Sequence, residues 1–251
     1  MYATGWDDQS TSRLDGQRPS LPVSIHTLSV IPLYHDFSDE TVLIVGGGSV
    51  GVRKARRFVR EARVVVVSPS FDDRFADAEL STVEQLRASP GPDDIGTWVD
   101  RFDPALVVAA TDDTDLNAAI EQVASDRGLL INRTDQSGER AVDSVVVPAT
   151  VRDGPVSVAI STGANSPALS RYLRQQIEDE IEHAGAMAEL TGELRAELKR
   201  SDRSPADRRA AVRSVVRSPA VWKALHTGTT KATKEAERVM AAEVDEMDGD
   251  R

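Results

Sequence analysis

The chain has 251 residues, no cysteine, 40% hydrophobic content and a formal net charge of −11 at pH 7. That length can bury a full core in one large or two modest domains. The absent thiols exclude disulfides, thiolate nucleophiles, cysteine zinc sites and iron–sulfur ligation. The acidic balance argues against a nucleic-acid partner, which needs a positive field over the phosphates. No stretch approaches about eighteen consecutive apolar residues and the N-terminus has no apolar signal core, so we expect a cytoplasmic protein without a membrane partner. Of the 30 basic residues only five are lysines, against 41 acidic residues. This balance is that of a salt-adapted surface, as in halophilic archaea; a high-GC mesophile is the alternative.

Residues 1–24 carry Gly, Ser, Asp, Gln and Pro without apolar periodicity and read as a disordered leader, with order beginning near Ile25. The apolar run Thr41 to Val45 then breaks into glycines spaced G-x-G-x-x-G at Gly46, Gly48 and Gly51, and continues as Val52-Arg53-Lys54-Ala55. It reads as strand, phosphate-binding turn and helix. Gly46 supplies a tight turn, Gly48 lets a pyrophosphate approach bare backbone, and Gly51 permits close packing of helix on strand. With Ser49 and Val50 these residues form the expected dinucleotide site, at a helix N-terminus whose partial positive charge faces the phosphates.

A second strand is predicted at Val64 to Val67. Phe71 to Ala88 reads as largely helical with a short strand near Leu80 to Val83, and Pro90 to Pro104 contains a polar loop. Leu106 to Ala110 is a clear strand ending in Thr111-Asp112-Asp113. Asp115 to Arg127 has helical spacing with Gly128 as C-cap, and Leu129 to Asn132 returns to the sheet. Alternating strands and helices predict an α/β, Rossmann-like, doubly wound parallel sheet over residues 25–140, with its ligand beyond the strand C-termini.

Beyond Asp135 the pattern changes. Ser144 to Arg152 and Pro155 to Ile160 flank Asp153-Gly154 and predict an antiparallel hairpin. Ser166 N-caps a helix with Pro167 at its first position, so residues 141–181 form a small α+β module. Residues 182–251 read as a helical C-terminal region broken at Ser201 to Pro205 and at Arg217-Ser218-Pro219, with an acidic end that frays from Glu243.

Five blocks in order give the chain a resemblance to the precorrin-2 dehydrogenase and sirohydrochlorin ferrochelatase family, the N-terminal part of siroheme synthases. They are Ile31-Pro32-Leu33; Val45 to Ala55; Ala109 to Asp113 with Leu116-Asn117; Ile131 to Asp135; and Ser161 to Leu169. Thr162 and Ala164 stand where Ser and Gly are common in the family, no appended methyltransferase domain is expected, and the part after Glu182 is least recognisable. The resemblance implies NAD as cofactor, precorrin-2 as tetrapyrrole substrate and sirohydrochlorin as product, in siroheme formation or a haem route through siroheme. It also implies a homodimer built through the 141–181 module. Bifunctional members further insert ferrous iron, here a substrate rather than a cofactor.

Asp135 matches the family's catalytic aspartate and sits at a strand C-terminus, where a carboxylate can act as general base; a loop-capping role is the alternative. Thr111 and Asp112 are expected at the cofactor, or as a helix entry. Asn132 is expected to orient Asp135 or the nicotinamide, with strand-end hydrogen bonding as the alternative. The acidic residue that usually binds ribose is missing; Ser68 occupies that strand end and is expected to serve, so NAD over NADP rests on the resemblance. Arg133, Arg140, Arg152, Arg171 and Arg174 form a candidate basic cluster for the substrate's carboxylates. Arg133, Arg171, Thr162, Gly163, Asn165 and Ser166 are the substrate-binding candidates beside Asn132. His26, His35, His183 and His226 are scattered without i, i+4 pairing, so no resident metal site is expected; His183 is the one placed to assist a chelatase. The reading from another class is a non-catalytic NAD-sensing module that uses the helical tail for assembly.

Overall fold

The computed structural model describes residues 31–136, 144–163 and 165–249, with side chains through residue 242. The expected leader, His26 and Arg140 lie outside the described residues.

Five parallel strands form the main sheet: β1 (Thr41–Val45), β2 (Arg63–Ser68), β3 (Glu84–Arg87), β4 (Leu106–Ala109) and β5 (Leu130–Arg133), in the order β3-β2-β1-β4-β5. Residue alternation assigns the two faces. Val42, Ile44, Val64, Val66, Leu106 and Val108 pack beneath α1 (Ser49–Phe58) on Val52, Ala55 and Phe58. Leu43, Val45, Val65, Val67, Val107 and Ala109 face α2 (Ile95–Phe102) and α3 (Thr114–Asp126). Apolar residues on both sides of every central strand are what a parallel sheet covered by helices requires. The strand order reverses between β1 and β4, so the ligand crevice of this architecture opens at their C-terminal ends.

Two segments differ from the sequence expectation. The region from Phe71 contains two 3-10 turns, Asp73–Ala76 and Ala78–Leu80, and no α-helix. Its buried anchors are Phe75 and Leu80, five residues apart, which is not the i, i+3/i+4 stripe that holds an α-helix on a core. The strand follows at Glu84–Arg87 instead of Leu80 to Val83, an edge strand of polar residues recruited by β2 through backbone pairing. The Pro90 to Pro104 region carries α2, anchored by Ile95, Val99 and Phe102 and closed by Asp103 in the left-handed conformation.

The second sheet is the hairpin β6 (Ala149–Asp153) and β7 (Val156–Ile160), turning at Gly154 with φ 52°. Its first strand starts later than expected, because Pro148 has no N–H for a ladder. Ser144 instead bridges Ile131 in parallel, and Val145 donates its N–H to the Ile131 carbonyl at 2.8 Å. The hairpin lies against the first domain through Arg57 with Thr150 and Arg152 with Glu61.

Five helices complete the chain: α4 (Pro167–Glu180), α5 (Ala184–Lys199), α6 (Pro205–Arg217), α7 (Pro219–Leu225) and α8 (Thr229–Gly249). Three of them begin with the same device. Ser166, Ser204 and Ser218 each accept a backbone N–H of the first turn, and each precedes a proline at the first helical position. Met187, Leu190, Leu194, Val215, Val221, Leu225, Ala232 and Ala236 close a separate apolar cluster among α5 to α8.

Candidate active site

The glycine loop separates structural from ligand-facing roles. A Cβ on Gly46 would lie 2.4 Å from the Ala110 carbonyl oxygen, and Gly46 has φ +116°. A Cβ on Gly51 would lie 2.1 Å from the Gly46 carbonyl oxygen. These two glycines allow β1, β4 and α1 to close on one another. Gly48 differs: it is exposed, and a Cβ built there meets nothing within 4 Å. It is the N-cap of α1, and helix geometry leaves the N–H groups of Ser49, Val50 and Gly51 without intrahelical acceptors. Bare backbone, unspent donors and a helix N-terminus at the crevice fit a dinucleotide pyrophosphate.

At the end of β2, Ser68 is buried, its Cβ 2.9 Å from where a Gly47 Cβ would stand. Pro69 and Ser70 are exposed beside it. Arg87, paired in register with Ser68, lies 5.7 Å over the Phe71 ring.

After β4, Thr111 donates its hydroxyl to Asn117 Oδ1 at 2.7 Å, and Asn117 Nδ2 donates to the Thr111 carbonyl at 3.0 Å. Asn117 is fully buried, and sequence reading gave it no role beyond its place in a motif. Its signal was a polar residue on the inward face of α3. The acidic pair divides its labour: Asp113 caps α3 by accepting from Asp115 and Leu116 N–H groups, while Asp112 is exposed at the loop.

Asp135 lies just beyond β5 with its side chain 21% exposed. Arg133 grips it with two bonds, Nη2 to Oδ2 at 2.6 Å and Nε to Oδ1 at 3.1 Å. These bonds hold the Asp135 carboxyl below the usual carboxylate range, against a partial burial that pushes the other way; Asn117 adds to the lowering. Arg133 Nη1 also donates to Glu121 at 2.8 Å, and the two carboxylates raise its own pKa. Arg133, expected at the substrate, is therefore 6% exposed with its guanidinium committed inside the protein. Asn132 is committed as well: it accepts from Lys54 Nζ at 2.6 Å and donates to the Val145 carbonyl at 2.8 Å. Lys54, on α1, was missed as a partner because 78 residues separate it from Asn132.

The Thr162 to Ser166 turn is wired internally. Thr162 Oγ1 lies 2.9 Å from Ser170 Oγ and 3.1 Å from the Ser166 carbonyl, Asn165 donates its N–H to the Thr162 carbonyl at 3.1 Å, and Gly163 takes φ +60°. Ala164 lies outside the described residues. This turn and the start of α4 border an open groove lined by Val147, Ile160, Thr162, Ser170, Arg171 and Arg174 among others. Arg171 has no ion-pair partner among the described residues, whereas Arg174 pairs with Glu178 and Arg152 with Glu61 near the hairpin's far end. Among the described members of the expected basic cluster, Arg171 and Arg174 are those that line the groove. His183 and His226, treated as scattered, in fact meet edge to face with ring centroids 4.2 Å apart.

A parallel sheet with a glycine loop at its switch point, a helix N-terminus facing the crevice and a carboxylate at the same sheet edge, beyond β5, defines a dinucleotide-binding protein of the Rossmann class. Comparison with known proteins narrows this. The family model described as "Putative NAD(P)-binding" matches residues 33–149, and that described as "Sirohaem biosynthesis protein central" matches 153–180. A precorrin-2 dehydrogenase of Methanosarcina barkeri is 33% identical over 224 residues, 86% of this chain and 96% of that protein. A siroheme synthase of Stutzerimonas stutzeri is 36% identical over 216 residues, covering 85% of this chain and 44% of the synthase. The chain thus spans less than half the length of the siroheme synthases it matches. The solved structure of SirC, a precorrin-2 dehydrogenase, has the same fold, with a TM-score of 0.63 at 20% identity over 84% of this chain and 98% of that one. The chain belongs to the precorrin-2 dehydrogenase and siroheme synthase family.

Proposed function

We propose that this chain is a cytoplasmic, homodimeric precorrin-2 dehydrogenase that oxidises precorrin-2 to sirohydrochlorin with NAD. The observation that carries the reading is the placement of open Gly48 and ionised Asp135 on one sheet edge. Asp135 follows β5, two strands from β1, or about 10 Å across the sheet at a strand spacing of ~4.8 Å. That span suits a cofactor anchored at one point and a macrocycle held at the other.

NAD, when bound, supplies hydride acceptance. Gly46, Gly48, Ser49, Val50 and Gly51 hold its pyrophosphate, Ser68 marks the ribose end, and Thr111 and Asp112 line its path. Oxidation removes a hydride and a proton from the ring system. Asp135 is the proton acceptor: Arg133 occupies two of the carboxylate's roughly four lone-pair sites, so the others remain for substrate. Arg133 and Asn132 position that carboxylate and the β5 end. Arg171 and Arg174, with the α4 N-terminus and the Thr162, Gly163, Asn165 and Ser166 turn, receive the substrate's carboxylates.

Dimerisation is supported by α4, none of whose residues is buried although it presents Leu169 and Tyr172, 46% and 56% exposed. Iron insertion into sirohydrochlorin, with ferrous iron as substrate, is a second step that Asp135 could serve by accepting pyrrole protons. The test is anaerobic turnover of fresh precorrin-2 with NAD, followed by NADH and sirohydrochlorin absorbance. We expect turnover by wild type and loss in Asp135→Asn with NAD binding retained. Binding of NAD without change in precorrin-2 favours the NAD-sensing module instead.

A further inference from the structure

The junction of α4, α5 and α7 brings together three side chains that the proposed chemistry does not use. Glu182, His183 and His226 each present a ligand atom, all within 4.8 Å of one another. His183 Nε2 lies 3.8 Å from Glu182 Oε1. We propose that these three residues form a binding site for a first-row divalent transition metal ion of borderline softness, such as Zn²⁺, Co²⁺, Ni²⁺ or Fe²⁺.

The donor set fits that class. Two imidazoles and one carboxylate make the three-protein-ligand arrangement that leaves a position open to solvent. Imidazole selects against Mg²⁺ and Ca²⁺, which prefer all-oxygen sets. Tetrahedral bonds of ~2.1 Å place ligand atoms about 3.4 Å apart, so the present spread of up to 4.8 Å must contract by roughly one ångström. Rotation about the terminal torsions of partly exposed side chains supplies that movement without displacing backbone.

The framework beneath is fixed. His226 caps α7 immediately after buried Leu225, and the His183 carbonyl accepts from the N–H of buried Met187; both neighbours belong to the apolar cluster of the C-terminal helices. Gly185, two residues beyond His183, donates its N–H to Asp153 Oδ2 at 2.8 Å, and a Cβ there would stand 2.5 Å from the Asp153 carbonyl oxygen. His183 itself holds φ 67°, ψ 7°, a left-handed turn where glycine is the unstrained choice. Side chains of consecutive residues ordinarily diverge; here the turn keeps Glu182 and His183 together.

The site is separate from the candidate active site within one protomer. α4 starts at the groove and ends at this cluster, 14 residues later, or about 21 Å at ~1.5 Å per residue. A metal held here links the α4–α5 turn to the end of α7, and its binding adds to stability by mass action.

Titration of the tag-free, chelator-treated full chain with Co²⁺ tests the proposal by equilibrium dialysis, visible d–d absorption and melting temperature. Wild type should bind one equivalent and melt higher with Co²⁺. His226→Ala and Glu182→Gln should each weaken binding at least tenfold, as even outer-shell changes at metal sites do. His183→Gly removes a ligand while relaxing the left-handed turn, so it should fold at least as well as wild type yet lose the Co²⁺ response. Asp135→Asn should bind as wild type does. An unchanged Co²⁺ stoichiometry and spectrum in folded His183→Gly, loss of binding in Asp135→Asn, or no binding by wild type overturns the proposal.

Discussion

Arg133 and Asp135, two residues apart at the end of a sheet strand, form a two-point ion pair, Nη2 to Oδ2 at 2.6 Å and Nε to Oδ1 at 3.1 Å. The pair lowers the Asp135 pKa from its ordinary 3.8. A depressed carboxyl pKa contributes stability above the unfolded value, ~3.9, and that contribution is lost as pH falls through the lower folded value. The acid limb of kcat/KM due to Asp135 should accordingly lie below 3.8 in wild type. In Arg133→Gln that limb should move upward while the maximal rate drops. A pH–rate profile with the same acid limb in both proteins would count against this coupling. Since Arg133 is buried between two carboxylates, the same substitution should cost about 3 kcal/mol in urea unfolding at neutral pH.

The glycine loop yields two opposite phenotypes. Gly48→Ala places a methyl in space free of protein at an ordinary φ of −76°. It should change stability by no more than about 1 kcal/mol, the scale of an N-cap change, while weakening NAD tenfold or more. Gly51→Ala drives a methyl to 2.1 Å from the Gly46 carbonyl and should destabilise the fold by at least ~2 kcal/mol through backbone displacement. Calorimetric NAD titration beside thermal melts separates the two; equal losses of stability would refute the division of roles.

Local chemistry made most of this legible in the sequence. The β1 run, its glycines, the Asp153-Gly154 turn signal and the Ser166-Pro167 helix start are short-range signals, and the structure places each within a residue of its sequence position. The breaks marked by Ser201 to Pro205 and Arg217-Ser218-Pro219 are themselves serine-capped, proline-led helix starts. The 3-10 turns after Phe71 and the polar edge strand β3 were not legible, since tertiary pairing to β2 decides them. At the site, Asp135 could be found because it lies in a recognisable block. The commitment of Arg133 to Glu121 and of Asn132 to Lys54 could not, because partners 12 and 78 residues distant leave no local trace. The meeting of His183 with His226 is hidden for the same reason.

Asn117 is fully buried and holds the Thr111 loop by both ends of its amide. Asn117→Ala would leave the Thr111 carbonyl without this donor, a loss of about 1–3 kcal/mol. Because Thr111 is expected to line the cofactor, NAD affinity should fall together with stability, and Asn117→Asp should restore neither. Melting curves with and without saturating NAD measure both effects; full retention of NAD affinity in Asn117→Ala would remove Thr111 from the cofactor path.

The acidic surface gives the last prediction. With 41 acidic against 30 basic residues, self-repulsion opposes folding. Salt also weakens the exposed pairs Arg63–Glu84, Arg127–Asp100 and Arg174–Glu178, but such pairs contribute only ~0–1 kcal/mol each. Relief of repulsion should win, and the melting temperature should rise with KCl. Most of the rise should fall between about 0.01 M and 1 M, where the screening length shrinks from ~30 Å to ~3 Å. A rise confined to multimolar salt would instead reflect strengthened apolar burial, which any protein with this core would show. A flat curve across the whole range would remove the salt-adapted reading of the arginine-rich, acid-rich surface.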